Sequence, residues 1–178
     1  SAAALYALRH SFPRIPFVGM EPAVKPAVER TSQGVVAVIA TEVTFQAELF
    51  ASLLERYAHD VEILTRVCHG LVEAVEAGAL AAPETEALLQ QCLAPLLEAE
   101  VDQLVLGCTH YPFLRSAIER VIGEDVSLID PAPAVARQTG RVLDGRDAGA
   151  SRSRTGHHVC FTSGDASTFG WTVAQLLP

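Results

Sequence analysis

Leu104-Val105-Leu106-Gly107-Cys108-Thr109-His110-Tyr111-Pro112-Phe113-Leu114 is the stretch on which the reading of this chain turns. Its apolar start reads as a buried strand, and Gly107 breaks it. Pro112 suits the first turn of a helix, where no N–H is needed, and the apolar spacing continues to Ile122. Cys108, Thr109 and His110 therefore stand at a strand-to-helix turn. In open α/β sheets, ligands sit in the crevice beyond the carboxyl ends of such strands.

Outward from this turn the same alternation repeats. Upstream, Gly34-Val35-Val36-Ala37-Val38-Ile39-Ala40 is a continuous apolar run, as expected of a parallel strand buried on both faces. Thr41-Glu42-Val43-Thr44 turns, and Phe45, Leu49, Leu53, Leu54 and Tyr57 keep helical spacing. The pattern predicts a strand over 61–67, a helix from His69 to Ala77 stopped by Gly78, and a helix from Pro83 to Glu98. Downstream it predicts a strand over 126–129, a helix capped by Asp130-Pro131 and running to Leu143, and a polar loop over 144–156 containing Arg146, Arg152 and Arg154. A strand over 158–161 and a final helix after Thr162-Ser163-Gly164-Asp165 complete that end. At the other end, residues 1–11 read as a helix, Phe17–Met20 as a short strand, and Pro22 as the opening of a helix through Val28. Alternating strands and helices imply an α/β fold, with a mainly parallel sheet flanked by helices.

A hydrophobic share of 49% in 178 residues is enough for a packed core. The net charge of −8 offers no basic face, which argues against nucleic acid or an anionic membrane as partner. No apolar run approaches the length of a membrane-spanning helix. Four cysteines, Cys68, Cys92, Cys108 and Cys160, lie far apart without a CxxC pair, so free thiols in a reducing, cytoplasmic setting are expected.

Each reactive residue has a plain reading beside its chemical one. Cys108 is useful as an acid or base only if it can become a thiolate, and a helix start offers the N–H groups and positive end that favour one. His110 can hold or supply a proton near neutrality. A buried structural cysteine beside a capping threonine and a core histidine fits these residues equally well. Thr41 and Thr44, at a second such turn, read first as helix caps. Glu73 and Glu76, one turn apart, read first as a solvated helix face. A metal site drawn from Cys68, His69, Cys108, His110, His157, His158 and Cys160 matches no structural zinc spacing, so no metal is expected.

Four stretches in order carry a resemblance to the glutamate racemases. Gly107-Cys108-Thr109-His110-Tyr111-Pro112 resembles the second cysteine motif of that family. Gly19-Met20-Glu21-Pro22-Ala23-Val24-Lys25-Pro26-Ala27 resembles its entry to the second domain. Ala40-Thr41-Glu42-Val43-Thr44 is similar to its Gly-Thr-x-x-Thr turn, with Ala40 for the glycine. Cys68-His69-Gly70-Leu71-Val72-Glu73-Ala74-Val75-Glu76-Ala77-Gly78 is similar to its Cys-Pro-Leu-Leu-Val-x-x-x-Glu-x-Gly, departing at His69 and Gly70. The histidine after Thr109 separates this pattern from aspartate racemases, which usually carry Glu there. The resemblance runs from Ser1 to about Phe169.

The resemblance implies a cofactor-independent isomerase that interconverts L- and D-glutamate in the cytoplasm and supplies D-glutamate for peptidoglycan. In that family two cysteines work on opposite faces of the α-carbon, one as base and one as acid. Carried over by position, Cys108 is one acid/base, His110 assists it, and Glu76 polarises His110. Thr109, His110, Thr41 and Thr44 bind substrate. The family's Asp-Ser-Gly turn, Pro-Tyr-Gly loop and first cysteine in Cys-Asn-Thr-Ala are not in this sequence; the resemblance places that cysteine just before Ser1. It further implies a complete second domain over 21–129, and the remnant of a first domain over 1–20 and 130–178. On this reading the chain alone does not racemise, and its uncovered surfaces favour self-association, such as a homodimer. Three alternatives stay open: an amino-acid-binding fragment without catalysis, a racemase for aspartate or another amino acid, and a one-cysteine hydrolase or transferase using Cys108 and His110.

Overall fold

In the computed structural model, residues 4–46, 48–150 and 155–177 are described, with Leu49 represented by its backbone alone. The expectations for Ser1–Ala3, for the Leu49 side chain and for Arg152 and Arg154 fall outside these residues.

Four parallel strands form one sheet in the order β2-β1-β3-β4: β1 (Val35–Ala40), β2 (Glu62–Val67), β3 (Gln103–Leu106) and β4 (Ser127–Ile129). The two central strands carry the two continuous apolar runs, with the buried polar Gln103 opening β3. Alternate side chains of each feed opposite faces of the sheet. Ala37, Ile39, Leu104 and Leu106 join one core cluster; Val36, Val38 and Val105 join the other.

The first cluster packs beneath α5 (Leu71–Glu76), α6 (Pro83–Glu98) and α7 (Arg115–Ile122). The second packs beneath α2 (Val24–Arg30) and α4 (Glu48–Tyr57). On α6, Leu89, Cys92, Leu93 and Leu96 keep the three-and-four spacing of one apolar stripe and are buried. Burying each such leucine contributes about 1.5–3 kcal/mol relative to leaving it exposed. The buried members of both clusters all lie between Val24 and Ile129. By contrast α1 (Leu5–Ser11), α8 (Ala132–Asp144) and α9 (Ala166–Leu176) bury no residue completely, and Tyr6, Val159, Phe161 and Trp171 are exposed.

Two predicted strands are absent: Phe17–Met20 and 158–161 are irregular. A strand exists only by pairing, and the sheet ends at β2 on one side and β4 on the other. The Phe17 carbonyl accepts a hydrogen bond from Arg9 instead. Pro22 lies two residues ahead of α2, whose first residue is Val24.

The expectation of free thiols throughout is also corrected. Cys68, just past β2, and Cys92, on α6, form a disulfide with 5.6 Å between their Cα atoms. They are 24 residues apart, and packing α6 across the sheet brings them together. Cys108 and Cys160 are free.

Candidate functional site

The site stands at the carboxyl ends of β1 and β3. The Gly107 N–H donates to the Ile39 carbonyl at 2.8 Å, continuing the pairing one residue past β3. A Cβ on Gly107 would lie 2.8 Å from the Ala40 Cβ and 3.0 Å from the Ile39 oxygen. Glycine is therefore the residue that lets the two strand ends approach this closely, which brings Thr41 and Cys108 out at the same edge.

After Cys108 the chain makes a 3-10 turn, Tyr111–Leu114, before α7 begins at Arg115. The predicted single helix from Pro112 is thus a tighter turn followed by a helix. The Tyr111 N–H donates to the Cys108 carbonyl at 3.2 Å, closing the turn on the cysteine. Tyr111 is fully buried, and its hydroxyl donates to the Cys68 carbonyl at 3.3 Å, tying the ends of β3 and β2 together.

Cys108, His110 and Glu76 are joined in series. The Cys108 Sγ is 3.7 Å from His110 Nδ1, and His110 Nε2 is 3.1 Å from Glu76 Oε1. An ionised Glu76 can only accept, so the proton between them sits on Nε2. That leaves Nδ1 of the neutral ring as an acceptor facing the thiol. Burial pushes the Cys108 thiol up, opposed by the N–H groups of His110 and Tyr111. The cysteine therefore rests as a thiol, with an imidazole nitrogen placed to take its proton.

Glu76 reaches this position because α5 is short and bounded by glycines in the left-handed region, Gly70 at φ +81° and Gly78 at φ +67°. Glu76 is the last residue of α5, at the lip of a cavity of about 540 Å³. Thr109 and His110 line the same cavity, together with Phe113 and the α9 residues Thr168 and Thr172. Cys108 is buried and communicates with this space through His110.

Thr41 and Thr44 are at the same sheet edge but do not line this cavity; their hydroxyls are 3.1 Å apart and bond to each other. Neither caps a helix through its side chain: Thr41 precedes the short helix α3 (Glu42–Phe45) without a side-chain cap bond, and Thr44 lies inside it. The cavity wall from α9 was not anticipated. The available signal was Thr162-Ser163-Gly164-Asp165, in which Asp165 accepts from the Thr168 N–H at 2.7 Å and so starts α9 beside the site. Among the described residues, no group of three or more His, Cys, Asp or Glu side chains converges as a metal site would require. No helix among them is long and apolar enough to cross a membrane.

A cysteine, a histidine and a carboxylate stand in series at the carboxyl edge of a parallel sheet, an arrangement that can pass a proton between a thiol and an imidazole. The chain belongs to the Asp/Glu/Hydantoin racemase family, whose family model matches residues 1–139. Its similar relatives are glutamate racemases. It is 53% identical over 143 residues to that of Ectopseudomonas mendocina, covering 80% of this chain and 54% of the relative. It is 44% identical over 177 residues to that of Roseiflexus sp., covering 99% of this chain and 65% of the relative. Among solved structures, the Bacillus anthracis glutamate racemase isoform RacE1 superposes with a TM-score of 0.82 at 30% identity, over 99% of this chain and 66% of that one. The Escherichia coli glutamate racemase, solved in complex with L-glutamate and the activator UDP-MurNAc-Ala, superposes with a TM-score of 0.76 at 30% identity, over 100% of this chain and 65% of that one. The chain thus spans between 54% and 65% of the length of these two curated relatives.

Proposed function

We propose that this chain carries one half of a two-base glutamate racemase, working on one face of the α-carbon without a cofactor. The observation that supports this most directly is the Cys108–His110–Glu76 series beside a cavity large enough for an amino acid. His110 Nδ1 takes the Cys108 proton, and the imidazolium so formed is held by Glu76. The thiolate then removes the α-proton of glutamate; in the reverse direction the thiol delivers it. Thr109 and His110 hold the substrate at the cavity, and Thr41 and Thr44, outside its lining but at the same sheet edge, meet a substrate carboxylate that reaches toward the end of β1.

Inversion needs a second acid/base on the opposite face. Cys68 and Cys92 are paired with each other and Cys160 is exposed, so Cys108 is the thiol that this chain offers at the site. The chain alone therefore exchanges the α-proton without racemising. The concentration of both buried clusters between Val24 and Ile129 supports a division into one complete domain over 21–129 and part of another over 1–20 and 130–178. The exposed Phe161 and Trp171 support association through these outer segments, as in a homodimer. The place of the whole protein is the cytoplasm, and its product is D-glutamate for peptidoglycan.

The test is deuterium uptake at the α-carbon of L- and D-glutamate in D2O, followed by proton NMR, with polarimetry for inversion. Uptake from one enantiomer without inversion, lost in Cys108→Ser, is expected. Absence of uptake from either enantiomer reduces the chain to a binding module, and inversion abolishes the need for a second thiol.

A further inference from the structure

We infer that α9 is a brace that sets the position of Glu76, and that Thr172 and Trp171 are positioning residues acting on the His110 ring through Glu76. The inference rests on the proton-transfer roles proposed above. Helix ends leave carbonyls without intrahelical partners. At the end of α5, the Glu76 carbonyl is met by the Thr172 hydroxyl at 3.3 Å. The Glu76 side chain itself is 63% exposed, so packing does not hold its carboxylate. Where that carboxylate reaches depends on where the backbone of Glu76 stands.

A second contact fixes the same backbone two residues on. A Cβ on Gly78 would lie 3.3 Å from the Trp171 ring and 3.5 Å from Gln175. Gly78 thus serves twice, through its left-handed φ and through the close seat it gives Trp171. Leu176 then packs one turn further along α9 against the core cluster beneath α5. The three contacts dock one face of α9 across the end of α5, and the adjoining face closes the cavity with Thr168, Phe169 and Thr172. The ionisable groups around Glu76 are His110 across the hydrogen bond, Glu73 one turn back on α5, and Asp165 at the start of α9 across the cavity. His110 is the cation-forming partner among them, so small displacements of Glu76 change which ring nitrogen carries the proton.

The ring nitrogens of His110, read by nitrogen-15 NMR of histidine-labelled chain and assigned with His110→Gln, report this directly. The unsubstituted chain is expected to show one tautomer, protonated at Nε2. Thr172→Val, which keeps the shape and removes the donor, and Trp171→Ala should each produce a mixture of tautomers. Thr172→Ser should restore the single form. Both residues lie on a helix with no buried side chain, so the core remains intact in the variants, as the amide signals of β1 verify. An unchanged His110 signature in folded Thr172→Val and Trp171→Ala overturns the inference and leaves α9 as a cover only. The ring signature does not depend on turnover: a responsive ring in a chain that exchanges no α-proton sinks the proposed reaction and keeps the brace.

Discussion

Glu76 and His110, 34 residues apart in the sequence, meet at 3.1 Å through Oε1 and Nε2. The contact joins the end of α5 to the turn after β3, and it brings a solvated helix carboxylate to the turn that carries Cys108. Replacing Glu76 by Gln keeps the size and removes the charge. An amide can donate as well as accept, so the proton on Nε2 is no longer enforced. The expected result is a fall in α-proton exchange on the order of 10²-fold, the usual contribution of one acid/base partner. Exchange at the original rate in Glu76→Gln removes the carboxylate from the mechanism.

Thr109 is exposed and lines the cavity. Thr109→Val should weaken glutamate binding by about 1 kcal/mol, the worth of one hydrogen bond, with an unchanged thermal midpoint. Calorimetric titration reads the first and a melting curve the second. Equal affinity in the variant refutes the substrate contact.

Gly107 and Gly140 make opposite predictions from the same substitution. At Gly107 an added methyl meets Ala40 and the Ile39 oxygen, so Gly107→Ala should cost about 1–3 kcal/mol and displace Cys108. At Gly140, inside α8, a Cβ meets nothing within 4 Å, so Gly140→Ala should stabilise that helix by about 0.5–1 kcal/mol. Urea unfolding of the two variants distinguishes them. A neutral Gly107→Ala shows that the strand ends are free to separate.

These sites differ in how far the sequence alone discloses them. β1 and β3 are legible because a strand buried on both faces is mostly apolar, and Val35–Ala40 and Leu104–Leu106 are; only Gln103, at the start of β3, departs. Phe17–Met20 and 158–161 have strand-like residues but no neighbour, and pairing is not written in a single segment. Cys108 and His110 are legible as a turn; the family resemblance singles out Glu76, but its contact with His110 depends on how α5 lies across the sheet. The Cys68–Cys92 pair arises from packing, where spacing along the chain carries no signal; for α9 the capping Asp165 marks where the helix starts, but its place against the end of α5 is set by packing. Thr41 and Thr44 stand at the same sheet edge as Cys108, yet their bond to each other is a local event that spacing alone does not reveal.

Asp102 supplies the last prediction, away from the site. It sits just before β3 and gathers the loop between α2 and β1. One carboxylate oxygen accepts from the Thr31 hydroxyl at 2.6 Å; the other accepts from the Ser32 N–H at 2.6 Å, the Ser32 hydroxyl at 2.9 Å and the Gln33 N–H at 3.2 Å. Partial burial pushes its pKa up, but the hydrogen bonds outweigh this and hold it below the ordinary carboxylate value. A carboxylate depressed in the folded state stabilises the fold at pH above its unfolded value of about 3.9, and loses that contribution as pH falls through the folded value. Asp102→Asn should therefore be less stable than the parent near neutrality by about 1–3 kcal/mol, since a charged acceptor is replaced by a neutral amide. As pH falls from about 4 toward the lowered folded value the lead of the parent should shrink, and below that value, where the folded parent is itself protonated and resembles the amide, the two stabilities should converge. Urea unfolding of both chains at stepped pH is the measurement; two curves that stay parallel through that range deny Asp102 its role in holding the loop.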